Sequence, residues 1–146
     1  MKIIEGGITA AKGFSASGVY CGIKKRKKDM ALVASDGPCT FAGSFTTNLV
    51  KAAPVVWDQG IVASEETVRA IVVNSGNANA CTAEQGDEDC KMMASLTAEA
   101  LGLRAEEVLV CSTGVIGVPL PMDRVKEGIA SASKTLAPGP EAAADA

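Results

Sequence analysis

Residues 108–121, VLVCSTGVIGVPLP, place a threonine hydroxyl and a glycine at the end of a short apolar run. Thr113 offers a side-chain donor and Gly114 a backbone N–H with no side chain in the way. Two donors so placed can stabilise the oxyanion of a tetrahedral acyl intermediate. The same S-T-G also makes an ordinary turn, so its spacing alone does not decide between chemistry and geometry. A second stretch, VNSGNANACTAEQG (73–86), opens from an apolar strand into Asn74, Ser75, Gly76, Asn77 and Asn79 just ahead of a helix start. Unpaired N–H groups there attract anions, but Asn and Gly are equally turn residues that tolerate positive φ, and the acidic residues that follow would repel a phosphate. A third stretch, residues 36–55, carries Thr40, Ser44, Thr46, Thr47 and Asn48, hydroxyl and amide groups that either line a polar cleft or belong to an ordinary strand.

Composition removes several chemistries. With no histidine, Ser–His and Cys–His nucleophile pairs cannot be assembled within the chain, and imidazole metal ligands are excluded. The five cysteines (Cys21, Cys39, Cys81, Cys90, Cys111) are odd in number, sit mostly among apolar neighbours and lack C-x-x-C spacing, so buried free thiols are expected. A net charge of −3 gives no general attraction to nucleic acid, and the basic cluster KKRKK (24–28) has no interleaved aromatics for base stacking, so it reads as the solvated turn of a hairpin. No apolar run approaches the roughly 18–20 residues that span a bilayer. Residues 1–7 lack the charged and apolar regions of a signal peptide, which points to the cytoplasm.

Elements must position these groups. The chain is 47% hydrophobic but only 3% aromatic, so its core is built from Val, Ile, Leu, Met and Ala with close backbone contacts at some of its 15 glycines. GVYCGIK (18–24) and MALVASD (30–36) are β-rich runs flanking the basic cluster, and CTFAGSFTTN (39–48) nearly alternates. VRAIVVNSG (68–76) is an apolar strand that stops at Asn74. Thr82 and Gln85 then stand at capping-box spacing, Glu84, Asp87, Glu88 and Asp89 put negative charge near a helix N-terminus, and Gly102 between two leucines suits a C-cap. Cys90, Met93, Thr97, Ala100 and Leu101 share a face of that helix. Pro121 fits the first turn of a second helix, where Met122, Val125, Ile129, Ala132 and Leu136 recur at helical spacing. One domain over residues 1–136 is expected, followed by a mobile low-complexity tail, 137–146. The order of elements predicts an α/β (α+β) layered sandwich; no G-x-G-x-x-G follows an early strand, which argues against a dinucleotide fold.

Taken together, CTFAGSFTTNLVKAAPV (39–55), VVNSGNANACT (72–82) and STGVIGVPLPMDRV (112–125) resemble, in this order and at these separations, the glutamate N-acetyltransferase / ornithine acetyltransferase family of arginine biosynthesis. Residues 6–36 resemble that family's opening, so the resemblance covers residues 5–135. It implies a layered αββα sandwich of the N-terminal-nucleophile type. It also implies a precursor that cleaves itself between an Ala and a Thr into an α chain and a β chain, whose new N-terminal threonine takes acetyl from N-acetylornithine and passes it to glutamate or water. No cofactor is required for that exchange, although some members also use acetyl-CoA as donor. An N-terminal α-amine, with an ordinary pKa of about 7.7–8.0, then serves as the base that histidine cannot be.

By this resemblance Thr113 and Gly114 are the catalytic residues that polarise the acetyl carbonyl, through the side chain and the backbone N–H respectively. The implied partner is the β chain of the same precursor, in a heterotetramer of two α and two β chains, with no nucleic acid, membrane or metal. The family's cleavage segment and the Thr-rich and Lys–Gly segments before it are not in this sequence, so the chain reads as an N-terminal portion of the α chain. Position 83 is Ala where the family pattern has Gly, a difference confined to the loop. Two other functions are compatible with the residues: an amidase or aminopeptidase of the same fold, and a non-catalytic module that binds a small anion at NSGNANACT.

Overall fold

The computed structural model describes residues 6–64 and 67–146; the expectation about a leader in residues 1–7 therefore lies mostly outside the described residues. The chain forms β1 (Phe14–Val19), β2 (Met30–Cys39), α1 (Ala53–Ser64), β3 (Val68–Asn77), α2 (Ala83–Leu101), β4 (Val108–Val115), α3 (Met122–Lys134) and α4 (Pro140–Asp145), with short 3-10 turns at Gly7–Ala10 and Ala105–Glu107. The four strands make one sheet in the order β1-β2-β3-β4. β1 pairs β2 and β2 pairs β3 antiparallel, whereas β3 and β4 run parallel. A parallel pair needs a long crossover, and α2 supplies it.

Strand alternation gives the sheet two faces. Met30, Leu32, Ala70, Val72, Val108 and Val110 point to one side and pack on Cys90, Met93 and Ala94 of α2 and on Val125, Ile129 and Ala132 of α3. This is the core. On the other face Val33, Ile71, Val73 and Leu109 are only half-buried, and Cys111 and Thr113 are exposed. The helices thus form one layer against one sheet.

α2 buries Cys90, Met93 and Thr97 as its spacing predicts, but Ala100 is exposed and Ala94 and Ala98 complete the face. Gly102 ends the helix in the left-handed region at φ 67, its N–H directed to the carbonyls of Ala98 and Glu99. α3 follows Pro121 and buries Val125, Ile129 and Ala132, with Met122 and Leu136 half-buried.

Several expectations are corrected. The first strand ends at Val19 instead of running over 18–24, because Asp29 accepts hydrogen bonds from the N–H groups of Cys21 and Lys24 at 2.7 and 2.8 Å and curls residues 20–29 into an anchored loop. Residues 40–48 form no strand; Thr46 Oγ1 and Asn48 Oδ1 accept from the N–H groups of Asn48 and Val50, local turns that compete with a ladder. The first half is not all β: Pro54 stands in the first turn of α1, where its missing N–H costs nothing. Residues 137–146, expected as a mobile tail, pair Ala137 with Ala16 and then form α4, which packs against β1. A Cβ at Gly18 would meet the Asp145 carbonyl oxygen at 1.8 Å.

The capping box at α2 does not form. Thr82 makes no cap hydrogen bond and its Oγ1 instead donates to Asn79 Oδ1 at 3.0 Å. Ala83 lies in the left-handed region at φ 52, a conformation that costs an L-residue about 1–2 kcal/mol. Replacing Ala83 by glycine removes that strain and returns part of the gain as unfolded-chain entropy. The expected net result is a stabilisation of about 0.5–1 kcal/mol, read as a rise in the urea midpoint with unchanged slope.

Candidate active site

β4 is an edge strand, and α1 covers its first half. Trp57 Nε1 donates to the Val108 carbonyl at 3.0 Å and Asp58 Oδ1 accepts from the Val110 N–H at 2.9 Å. Two side chains therefore satisfy the outer edge as a further strand would. By the two-residue alternation of a strand, the N–H groups of Ser112 and Gly114 lie on that same outer edge, while Thr113 and Val115 are both paired with Asn77 of β3.

Thr113 and Gly114 are exposed at the C-terminal end of β4. Gly114 sits at φ 138, and a Cβ there would lie 2.3 Å from the Gly76 carbonyl carbon and 2.5 Å from the Asn77 nitrogen. Only glycine fits, because the β3 and β4 backbones close on each other there. Val115, Ile116 and Val118, just beyond, are 58%, 64% and 48% exposed.

The asparagine stretch holds this strand end in place. Asn74 Nδ2 donates to the Asn77 carbonyl at 2.9 Å. Asn77 Nδ2 donates to the carbonyls of Val118 and Pro119 at 2.8 and 3.1 Å, and its Oδ1 accepts from the Asn79 N–H at 2.8 Å. Asn79 Nδ2 reaches the Gly86 carbonyl in α2 at 2.8 Å. All three asparagines are buried, so their amides serve as struts between β3, the loop after β4 and α2. The third stretch joins at its end, where the Ala53 N–H donates to the Asn79 carbonyl at 3.3 Å; Thr46, Thr47 and Asn48 remain exposed.

Ser75 is not a strut. It pairs in register with Thr113 across the parallel ladder, so both side chains point to the face without helices. Lys24 Nζ donates to Ser75 Oγ at 3.1 Å, and a Cβ at Gly76 would strike Lys24 Cγ at 2.9 Å. The lysine stem therefore lies across Gly76. Below it, Asp29 is 2% exposed; burial opposes its ionisation, but the N–H groups of Cys21 and Lys24 outweigh it and hold the carboxyl below its ordinary pKa.

The thiols divide. Cys90 is buried and Cys21 and Cys39 are half-buried, but Cys81 and Cys111 are exposed, against the expectation of five buried thiols; Cys81 occupies a turn at φ 56 and Cys111 the uncovered sheet face. Burial pushes the Cys90 thiol up to about 12 and that of Cys21 to about 12 as well.

Burial also raises Asp58 from 3.8 to about 6, against the opposing hydrogen bond from Val110. The unfolded chain then releases this proton first, so the stability linked to Asp58 is complete below pH 3.8 and is lost as pH rises through about 6. Asp58→Asn keeps an acceptor for the Val110 N–H and abolishes the titration. Its melting temperature should gain on the wild type by on the order of 2–4 °C between about pH 4 and pH 7, checked by parallel thermal melts.

Sequence spacing pointed to Thr113, Gly114 and the asparagines. It missed Trp57 and Asp58, which lie in a helix with no clear apolar stripe, and it placed Lys24 in a solvated turn. No local signal joins Lys24 to Ser75, 51 residues away.

A helix layer on one sheet face, an open second face and an exposed Thr–Gly strand end define a mixed α/β protein of the layered αββα class. A family model described as the ArgJ family matches residues 15–146, and the chain belongs to that family. It is 56% identical over 149 residues to the arginine biosynthesis bifunctional protein ArgJ of Symbiobacterium thermophilum, a match covering 100% of this chain and 36% of that protein. It is 55% identical over 136 residues to the protein of the same name from Caldanaerobacter subterraneus subsp. tengcongensis, covering 93% and 34%. The chain thus spans about a third of the length of these curated relatives. The crystal structure of ArgJ from Bacillus halodurans superposes with a TM-score of 0.90 at 39% identity, covering 99% of this chain and 75% of that one. Ornithine acetyltransferase from Mycobacterium tuberculosis, solved with ornithine, superposes with a TM-score of 0.91 at 42% identity, covering 97% and 76%. Among the described residues no helix is long and apolar enough to cross a membrane.

Proposed function

We propose that this chain is the α-type part of an ornithine acetyltransferase, and that its Thr113–Gly114 strand end is the oxyanion hole for a threonine nucleophile on a β chain of the same precursor. The observation that carries this is the exposed end of β4: a hydroxyl on the open sheet face beside a glycine N–H on the open strand edge, with no room for a side chain at Gly114. Family membership and the ornithine-bound relative support the substrate class. The threonine hydroxyl attacks the acetyl carbonyl of N-acetylornithine, and the β chain's α-amine takes the hydroxyl proton and returns it to the departing ornithine nitrogen. Collapse leaves an acetyl ester on the threonine, which the glutamate amine then attacks to give N-acetylglutamate and free threonine. Thr113 and Gly114 stabilise the oxyanion in both halves.

The open sheet face, with Cys111, Thr113 and Val115 exposed on β4, is where we place the second sheet of the αββα sandwich, contributed with the β chain. Self-cleavage, the heterotetramer and a cytoplasmic location belong to the same reading, as does the absence of a required cofactor, with acetyl-CoA as an alternative donor. Intact mass and N-terminal sequencing of every chain that co-purifies from the native source test it. A second chain beginning with Thr, heavier by one acetyl group after exposure to N-acetylornithine, is the expected result. A chain that purifies alone and folded overturns it and favours the anion-binding module, although the internal use of Asn74, Asn77 and Asn79 as struts speaks against that cradle.

A further inference from the structure

We infer that Lys24, lying across Gly76 with its ammonium on Ser75, binds the α-carboxylate of the amino-acid substrates beside the Thr113–Gly114 strand end. This deepens the acyl-transfer reading and rests on it.

The inference starts from how firmly Lys24 is held. Its N–H is bonded to the buried Asp29 carboxylate at 2.8 Å, its stem crosses the Cα of Gly76, and its Nζ donates to Ser75 Oγ at 3.1 Å. The neighbouring residues 25–28 are exposed, whereas Lys24 is half-buried. Lys28 pairs with Asp145; among the described residues no carboxylate forms an ion pair with Lys24. A half-buried ammonium fixed at both ends and satisfied only by one hydroxyl keeps donors for an anion.

Its location identifies the anion. Ser75 and Thr113 are partners across the parallel ladder, so their Cα atoms are about 4.8 Å apart, and both side chains face the open side of the sheet. The ammonium therefore stands about one side chain away from the hydroxyl that meets the acetyl carbonyl. In N-acetylornithine and in glutamate only one carbon, Cα, separates the α-carboxylate from the nitrogen that leaves or attacks. A cation at this distance meets that carboxylate while the acyl carbon is at Thr113, and a charge-assisted contact orients both substrates in turn. Gly76 is part of the arrangement, since a side chain there would displace the lysine stem.

The test uses the assembled two-chain enzyme and a substrate pair that differs only in the carboxylate: N-acetylornithine and N-acetylputrescine. Wild type should prefer N-acetylornithine in kcat/KM by on the order of 10²-fold. In Lys24→Met that ratio should collapse toward one, through loss on N-acetylornithine alone, carried mainly by KM. Lys24→Arg should keep most of the preference. Should Lys24→Met fail to assemble, Lys24→Gln, which retains a polar end toward Ser75, gives the same comparison. An equal loss on both compounds would mean that Lys24 acts through Ser75 on Thr113 or on the fold, and no loss would mean that it is outside the site; either result overturns the inference. Calorimetric titration with the same two compounds reads the carboxylate contact without turnover. Wild-type enzyme that binds N-acetylornithine through Lys24 but transfers no acetyl would sink the acyl-transfer reading and leave this contact standing.

Discussion

Thr113→Val in the assembled enzyme is expected to lower kcat by about 10²–10³, the usual consequence of losing one oxyanion donor. Valine matches threonine in shape and removes only the hydroxyl. The side chain is exposed and points away from the helix layer, so the fold loses nothing measurable. The interaction is made in the transition state, so kcat and kcat/KM should fall together with little change in KM. Both half-reactions should slow, because the same oxyanion forms when threonine is acetylated and when glutamate removes the acetyl group. Steady-state transfer from N-acetylornithine to glutamate, with mass spectrometry of the acetyl-threonine chain, reads both. Turnover within a few-fold of wild type would remove Thr113 from the mechanism.

Gly114→Ala should be worse, for a reason that is first structural. The added methyl would sit 2.3 Å from the Gly76 carbonyl carbon, 2.5 Å from the Asn77 nitrogen and 2.6 Å from the Gly76 carbonyl oxygen. These are backbone atoms, which cannot swing aside as a flexible side chain does. At φ 138 alanine is also strained whatever the space. Strain and overpacking together cost about 2–4 kcal/mol. Relief requires β4 to move away from β3, which displaces the Gly114 N–H and Thr113 together, so activity should fall by more than 10²-fold. Equilibrium unfolding and kcat on the same preparation check the two effects. A variant with wild-type stability and wild-type kcat would contradict the close approach at Gly76.

The helices and the long strands were legible because their signals are local. The face of α3, the glycine that ends α2 and the apolar run of β3 need only their own spacing and end residues, and each lies where that spacing put it. The errors fall where a distant group overrides propensity. Residues 20–24 look like strand but are drawn into a loop by one buried carboxylate, Asp29. Residues 40–48 alternate like a strand, yet find hydrogen bonds within their own turns. α1 carries no clear apolar stripe because it buries few side chains and spends two others, Trp57 and Asp58, on the edge of β4.

The sequence by itself determined what kinds of residue are available and which cannot act. A chain without histidine must borrow a base, and a Thr–Gly pair at the end of an apolar run is a place for two donors. Its motifs, in their order and separations, were enough to suggest the family. Only the tertiary structure decided which polar residues are free for a ligand. Asn74, Asn77 and Asn79 are consumed as struts, while Ser75, in their midst, faces the open side with Lys24 upon it. The physical reason is alternation in a paired strand: neighbours in sequence point to opposite faces, one toward the helices and one toward open space, and residues far apart in the chain become neighbours only when β3 and β4 align in register.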